Sequence, residues 1–264
     1  MGSDNDLQTL SVEHRGPVAI VTFRRGDQLN AINTVMQAEI TEALSRLGTD
    51  ADTRVIIVTG EGRGFMAGAD IKEYAAQSDD DFAGFQARGG GMYAAIEDNP
   101  KPVIAAVNGF ALGGGFELVL CCDIVVAVAE AKMGLPEIKL GLIPGGGGTQ
   151  RAVRILGLNR AKYLTMTGAM LPAADFAGYG LVQETTTPEE LMPRALAIAE
   201  EIASGEPEAI RHLKRLTASA TVAALEDGLA AERDAVCALY RTDQAKAKVQ
   251  AFAEKSAARE ARGR

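Results

Sequence analysis

Apolar and polar positions alternate in "LQTLSVE" and "PVAIVTF", a pattern that predicts two strands of a hairpin joined at "HRG". The period then lengthens. In "NTVMQAEITEALSRLG", Val35, Met36, Ile40, Ala43, Leu44 and Leu47 fall at helical spacing, with Asn33 placed to cap the start and Gly48 the end. "RVIIVTG", "KPVIAAV" and "DIVVAVA" are apolar runs bounded by Gly or Pro, each about a helix length from the last. That rhythm predicts buried strands joined by right-handed crossovers in largely parallel pairing. "ARGGGMYAAIEDN" is expected to be helical from its context, although Gly89, Gly90 and Gly91 each weaken a helix by ~1 kcal/mol relative to Ala. Beyond Pro188 the strands stop, and four segments of helical period run to the end of the chain. The expected organisation is an α/β core over residues 1–195 and a helical region over 196–264.

Composition narrows the class. The chain has 264 residues with 47% apolar content, enough for a proper core, and a net charge of −8. Such an acidic balance argues against nucleic acid and anionic membranes as partners, while leaving room for a small basic pocket that holds an anionic ligand. The most apolar stretch, 103–122, contains Asn108, four glycines and Glu117, all costly in lipid, so no membrane span is expected. Cys121, Cys122 and Cys237 are odd in number and fit neither a disulfide framework nor metal-ligand spacing, which favours a reducing compartment, the cytoplasm. The start "MGSDNDLQTL" has neither a basic nor an apolar stretch, and no secretory signal is expected from it. His14 and His212 read as structural or solvated, so no metal site is expected, and P-loop, G-x-S-x-G and H-E-x-x-H motifs are missing.

Three stretches carry candidate chemistry. In "NGFALGGGFELVLCCD" a helix is expected to open at the glycines, whose N–H groups lack intrahelical partners and can hold an anion or a developing oxyanion. Glu117 falls in the first turn of that helix. Taken alone it could complement the helix dipole from the surface, but Phe116, Leu118, Val119 and Leu120 leave it no polar face to share. A carboxyl in apolar surroundings has a raised pKa, which suits a group that gives and takes a proton near neutrality. In "LPEIKLGLIPGGGGTQR", Glu137 lies eight residues before a second glycine run, 145–148; its plainer reading is a loop glutamate paired with Lys132 or Lys139. "GEGRGFMAGAD" spells G-x-G-x-x-A from Gly62 to Ala67, a weak dinucleotide fingerprint whose other use is a loop presenting free N–H groups, for example at Ala67, to a ligand.

Taken together, "GFMAGADIKE", "KPVIAAVNGFALGGGFELVLCCDIVVA" and "LPEIKLGLIPGGGGTQR" make the chain resemble the crotonase superfamily of enoyl-CoA hydratases and isomerases, over about residues 12–255. The resemblance implies a crotonase-like fold of repeated β-β-α units with a C-terminal helical region, assembled as homotrimers or homohexamers. It implies a thioester oxygen held by the N–H groups of Ala67 and Gly114, Glu117 and Glu137 as catalytic carboxyls, and Gly145 as a holder of the reacting water. Ala67, Gly68, Ala69, Asp70, Ile71, Phe252 and Lys255 match positions that meet coenzyme A. The acyl-CoA is then the substrate, with no cofactor, and the expected reaction is hydration of a 2-enoyl-CoA. The alternative is an enoyl-CoA isomerase or other CoA-thioester enolate chemistry on the same fold, and the second alternative a non-catalytic acyl-CoA or RNA binding scaffold.

Overall fold

Residues 7–262 are described by the computed structural model, with side chains through residue 254. Leu10–Arg15 (β1) and Val18–Phe23 (β2) form the expected antiparallel hairpin. Its turn lies slightly later than "HRG", because His14 and Arg15 still pair with Ala19 and Val18 while Gly16 adopts φ of 56°. Thr34–Thr49 (α1) starts where the Asn33 side chain accepts the Met36 N–H at 2.9 Å, then Val55–Gly60 (β3) and Gly64–Met66 (β4) follow. Ile71–Ala76 (α2) and Asp79–Glu97 (α3) lead to Val103–Val107 (β5) and Phe110–Leu112 (β6). The triple glycine 89–91 is therefore helical, inside α3.

Gly114–Cys121 (α4), Ile124–Val128 (β7) and Lys132–Gly134 (β8) come next, then Gly148–Leu156 (α5) and Leu158–Thr167 (α6). Met170–Pro172 (β9), Ala173–Ala177 (α7), Glu184–Thr186 (β10) and Leu191–Ala203 (α8) close the first compact unit, Met1–Gly205. The second unit, Glu206–Arg264, holds Pro207–Ser219 (α9), Leu225–Tyr240 (α10) and Asp243–Arg262 (α11). The division thus falls later than residue 195. Helix α8 packs on β2, β3, β5 and β7 and belongs with the strands it covers.

The main sheet has the order β1-β2-β3-β5-β7-β10, parallel from β2 onward. Residues 55–58 of β3 and all of β5 are buried, which is why their sequences are continuous apolar runs and not alternating ones. A second sheet, β4-β6-β8-β9, is built of three-residue strands. Each of its first three strands runs directly into a loop or helix start, so this small sheet sets the positions from which "FMAGAD", "GGGFE" and "LPE" depart. The approach is close. A Cβ on Gly115 would lie 1.9 Å from the Met66 carbonyl oxygen, so only glycine lets α4 rest on β4.

Buried Asn30 fixes the loop that edges this sheet. With φ of 57°, it donates from Nδ2 to the carbonyls of Glu61 (3.0 Å) and Gly64 (2.7 Å) and accepts the Arg25 N–H at Oδ1 (2.8 Å). Replacing it by alanine removes three hydrogen bonds to backbone groups, of which only Gly64 O keeps a second side-chain donor, Asn108 Nδ2 at 3.3 Å. Asn30→Ala is therefore expected to lower unfolding stability by about 2–4 kcal/mol, read from denaturant midpoints; a loss under about 0.5 kcal/mol would show that water replaces the amide.

Candidate active site

Glu117 sits one turn into α4, where its N–H donates to Gly113 O at 2.9 Å, and only 3% of the residue is exposed. The side chain does not complement the helix dipole from the surface. Its Oε1 accepts the N–H groups of Gly146 and Gly148, both at 2.8 Å, at the start of α5. Burial raises the carboxyl pKa, while these two bonds, the Arg151 charge and the nearby Tyr93 hydroxyl act in the opposite direction. Arg151 donates from Nη1 to Gly146 O (2.8 Å) and forks onto Glu97 of α3, with Nη2 to Oε2 at 2.6 Å and Nε to Oε1 at 3.2 Å. Tyr93, also on α3, donates its hydroxyl to Gly114 O at 3.1 Å. One helix thereby steadies both glycine runs. None of Tyr93, Glu97 and Arg151 was singled out from sequence, since helical period alone does not tell which polar tip faces the site.

Glu137 opens the short 3-10 turn Glu137–Leu140 that follows β8. Among the described residues no ion pair joins it to Lys132 or Lys139, and its buried Oε2 has no hydrogen-bond partner. The contrast with Glu39 is informative. That buried carboxylate accepts from Gln8 N (2.7 Å), Thr9 N (2.8 Å) and Thr9 Oγ1 (2.5 Å) and serves the fold. Burial pushes the Glu137 carboxyl up to about 7, with the Glu117 charge adding to the rise. Half of Glu137 is then protonated near neutrality, whereas a solvated glutamate is ionised.

Both carboxyls face one cavity of about 590 Å³, lined also by Ala67, Gly68, Ala69, Ile71, Gly113, Gly114, Gly145 and Gly146. The N–H groups decide what this cavity can do. Ala67 does not offer one: its N–H donates to Leu29 O at 3.0 Å, so the donor expected there is already taken. Two residues on, Ile32 N takes Gly68 O (2.8 Å) and Asp70 N takes Ile32 O (2.8 Å), leaving the Ala69 N–H without an acceptor among the described residues. The Gly114 and Gly145 N–H groups are likewise unclaimed among them. The sequence signal for Ala69 is its place just before Asp70, the residue that caps α2: a residue preceding an N-cap lies outside the helix and its ladder.

Asp70 itself is turned to structural work. It pairs with Arg25 Nη2 at 2.7 Å and accepts the Lys72 N–H at 3.1 Å, and the Arg25 bond holds its carboxyl below the usual range. Among the residues matched to coenzyme A, Ala67, Gly68, Ala69 and Ile71 line the cavity and Asp70 does not. Phe252 is 74% exposed on α11 of the second unit, and Lys255 lies outside the residues whose side chains are described. Among the described residues no group of three or more His, Cys, Asp or Glu is placed to hold a metal ion, and no helix is long and apolar enough to cross a membrane.

The same arrangement of chain is met in known proteins. Residues 13–259 match the enoyl-CoA hydratase/isomerase family. The chain is 40% identical to a probable enoyl-CoA hydratase of Rhizobium meliloti over 248 residues, 94% of this chain and 96% of that one. It is 37% identical to a short-chain-enoyl-CoA hydratase of Clostridium acetobutylicum over 251 residues, covering 95% and 96%. The crystal structure of enoyl-CoA hydratase from Bacillus anthracis superposes with a TM-score of 0.91 at 38% identity, covering 94% of this chain and 97% of that one. By family match, sequence identity and fold, this chain belongs to the enoyl-CoA hydratase/isomerase family.

Proposed function

We propose that the protein is an enoyl-CoA hydratase that adds water reversibly across the double bond of a 2-enoyl-CoA to give a 3-hydroxyacyl-CoA. The observation that carries this reading is the meeting of two pKa-raised carboxyls, Glu117 and Glu137, with unclaimed N–H groups in one cavity. In the hydration direction a water bound between Glu117, Glu137 and the Gly145 N–H loses a proton to Glu117 as its oxygen bonds to C3. The electron pair of the double bond moves through C2 onto the thioester oxygen, where the Ala69 and Gly114 N–H groups stabilise the charge. Glu137 then delivers its proton to C2. A carboxyl half protonated near neutrality suits that step, because a group that stays ionised has no proton to give. Two carboxyls in the cavity favour hydration over a simple double-bond shift, for which one acid/base suffices.

The assembly belongs to the same reading. A trimer or a pair of trimers, in the cytoplasm, would place Phe252 and Lys255 at the coenzyme, and the exposed apolar side chains of Ile143, Tyr163 and Met166 support a surface made for another chain.

Glu117→Gln and Glu137→Gln are each expected to lower kcat for crotonyl-CoA hydration by about 10²–10⁴, and together by less than the product of the two. Loss of the enoyl absorbance reads this directly; either variant retaining near wild-type kcat would remove that residue from the chemistry. With Glu137 near 7 as the acid, hydration falls as pH rises above about 7. The acid limb reflects Glu117, whose pKa lies above its ordinary value, and the two limbs belong to the pair. The same titration acts on stability. Folding favours the protonated Glu137, so stability is fullest below the ordinary glutamate pKa of 4.5 and declines as pH climbs to about 7. Glu137→Gln lacks this loss and should gain on wild type between pH 5 and 7.5 in melting temperature; a constant difference would contradict the raised pKa. Ala69→Pro, which deletes an unclaimed donor, is expected to cost about 10²–10³ in rate with far-UV circular dichroism unchanged. A folded variant of undiminished rate would return the donor to another residue.

A further inference from the structure

The cavity has a polar inner wall that the hydration chemistry does not use. Gln37 of α1 lines it, is 3% exposed, and donates from Nε2 to Phe85 O at 3.3 Å. That bond fixes which end of the amide is oxygen, since the reverse orientation would set two carbonyl oxygens against each other. The Oε1 so defined is buried and has no partner among the described residues. Beside it, Gly89 puts no side chain into the wall: a Cβ there would lie 3.2 Å from Gln37 Nε2. Gln86, one turn earlier on α3, also lines the cavity, and its Nε2 contacts the Tyr74 hydroxyl at 3.2 Å. Its Oε1 lies next to Gly145, where a Cβ would be 2.4 Å away. Two glutamine side chains thus line a wall where a purely alkyl chain would call only for apolar side chains, and Gln37 keeps an unpartnered amide oxygen buried within it.

We propose that Gln37, assisted by Gln86, is a specificity-determining residue that selects acyl thioesters carrying a hydrogen-bond donor, such as a hydroxyl, beyond the reacting double bond. The proposal rests on the enoyl-CoA reading above. An alkyl chain pressed against Gln37 leaves a buried carbonyl unpaired, whereas a hydroxyl of similar size restores the missing bond. A site built to bond a hydroxyl discriminates sharply against the analogue that lacks it. The alkyl chain also meets the aromatic cluster of Tyr74, Phe82 and Phe85, whose rings pack edge to face 5.1 Å apart, so the apolar part of the substrate keeps its own contact surface.

Binding of unreactive saturated thioesters tests this apart from catalysis. Calorimetry on the full-length protein would compare butyryl-, pentanoyl- and hexanoyl-CoA with their terminally hydroxylated counterparts. At least one hydroxylated member of the series is expected to bind about tenfold more tightly than its alkyl partner. Gln37→Leu, similar in size but without the amide, is expected to abolish or invert that preference, and Gln86→Leu to diminish it. The wild-type ratio is read without any variant, so a misfolded Gln37→Leu protein does not rescue the idea. Alkyl chains binding equally well or better throughout, as they would if a trapped water satisfied Gln37, would overturn it, and so would a preference that survives in Gln37→Leu. Failure of the enoyl-CoA reading looks different: wild-type protein would leave crotonyl-CoA unhydrated whatever the binding ratios.

Discussion

A carboxylate removed from water persists only where donors replace its hydration, and Glu117 finds them in the N–H groups of Gly146 and Gly148. Much of the site follows from that pair of bonds. They require the glycine run 145–148 to pass directly over α4, at a distance where a Cβ on Gly146 would fall 2.0 Å from the Tyr93 ring. They also require the run to be held, which Arg151 does by gripping Gly146 O while anchored to Glu97 on α3. The same helix sends Tyr93 to Gly114 O, so the donor end of α4 and the loop that solvates Glu117 share one support. The paired β4, β6 and β8 then bring "FMAGAD" and Glu137 to the same cavity.

The two glutamates differ through their partners, not through their depth alone. Glu117 is the more deeply buried, yet it has backbone donors and a nearby guanidinium that favour its ionised form. Glu137 has an orphaned Oε2 and faces the charge of Glu117, so its proton is retained to about pH 7. Placing unlike environments around two like side chains separates a base from an acid without any change of residue type.

Much of this was legible in the sequence, and the exceptions have physical reasons. The hairpin, α1 and the helices after Pro188 follow from hydrophobic period, because each is long enough to show one, and the buried strands β3, β5 and β7 follow from unbroken apolar runs. The second sheet was not legible, since strands such as Phe110–Leu112 are shorter than any period they could display. Glu117 stood out by its apolar neighbours. Glu137 stood out less, because the apolar environment that perturbs it is assembled from distant segments. Ala67 was placed two residues too early: composition marks a flexible loop but does not tell which of its N–H groups Leu29 and Ile32 already engage. Arg151 and Glu97 lie 54 residues apart in sequence, so their pairing has no local signature.

The central claim is that Glu137 holds a proton at neutral pH in the shared cavity while Glu117 is solvated by backbone donors. Infrared difference spectroscopy of the carboxylic acid C=O stretch, titrated from pH 5 to 9 in wild type and in the two glutamine variants, measures this at the group itself. The account predicts a protonated-carboxyl component that titrates near pH 7 in wild type, and the loss of that component in Glu137→Gln. In Glu117→Gln the band should persist with a lower midpoint, because the neighbouring charge is gone. A wild-type band that disappears before pH 5, or a component titrating near pH 7 that remains in Glu137→Gln, would contradict it.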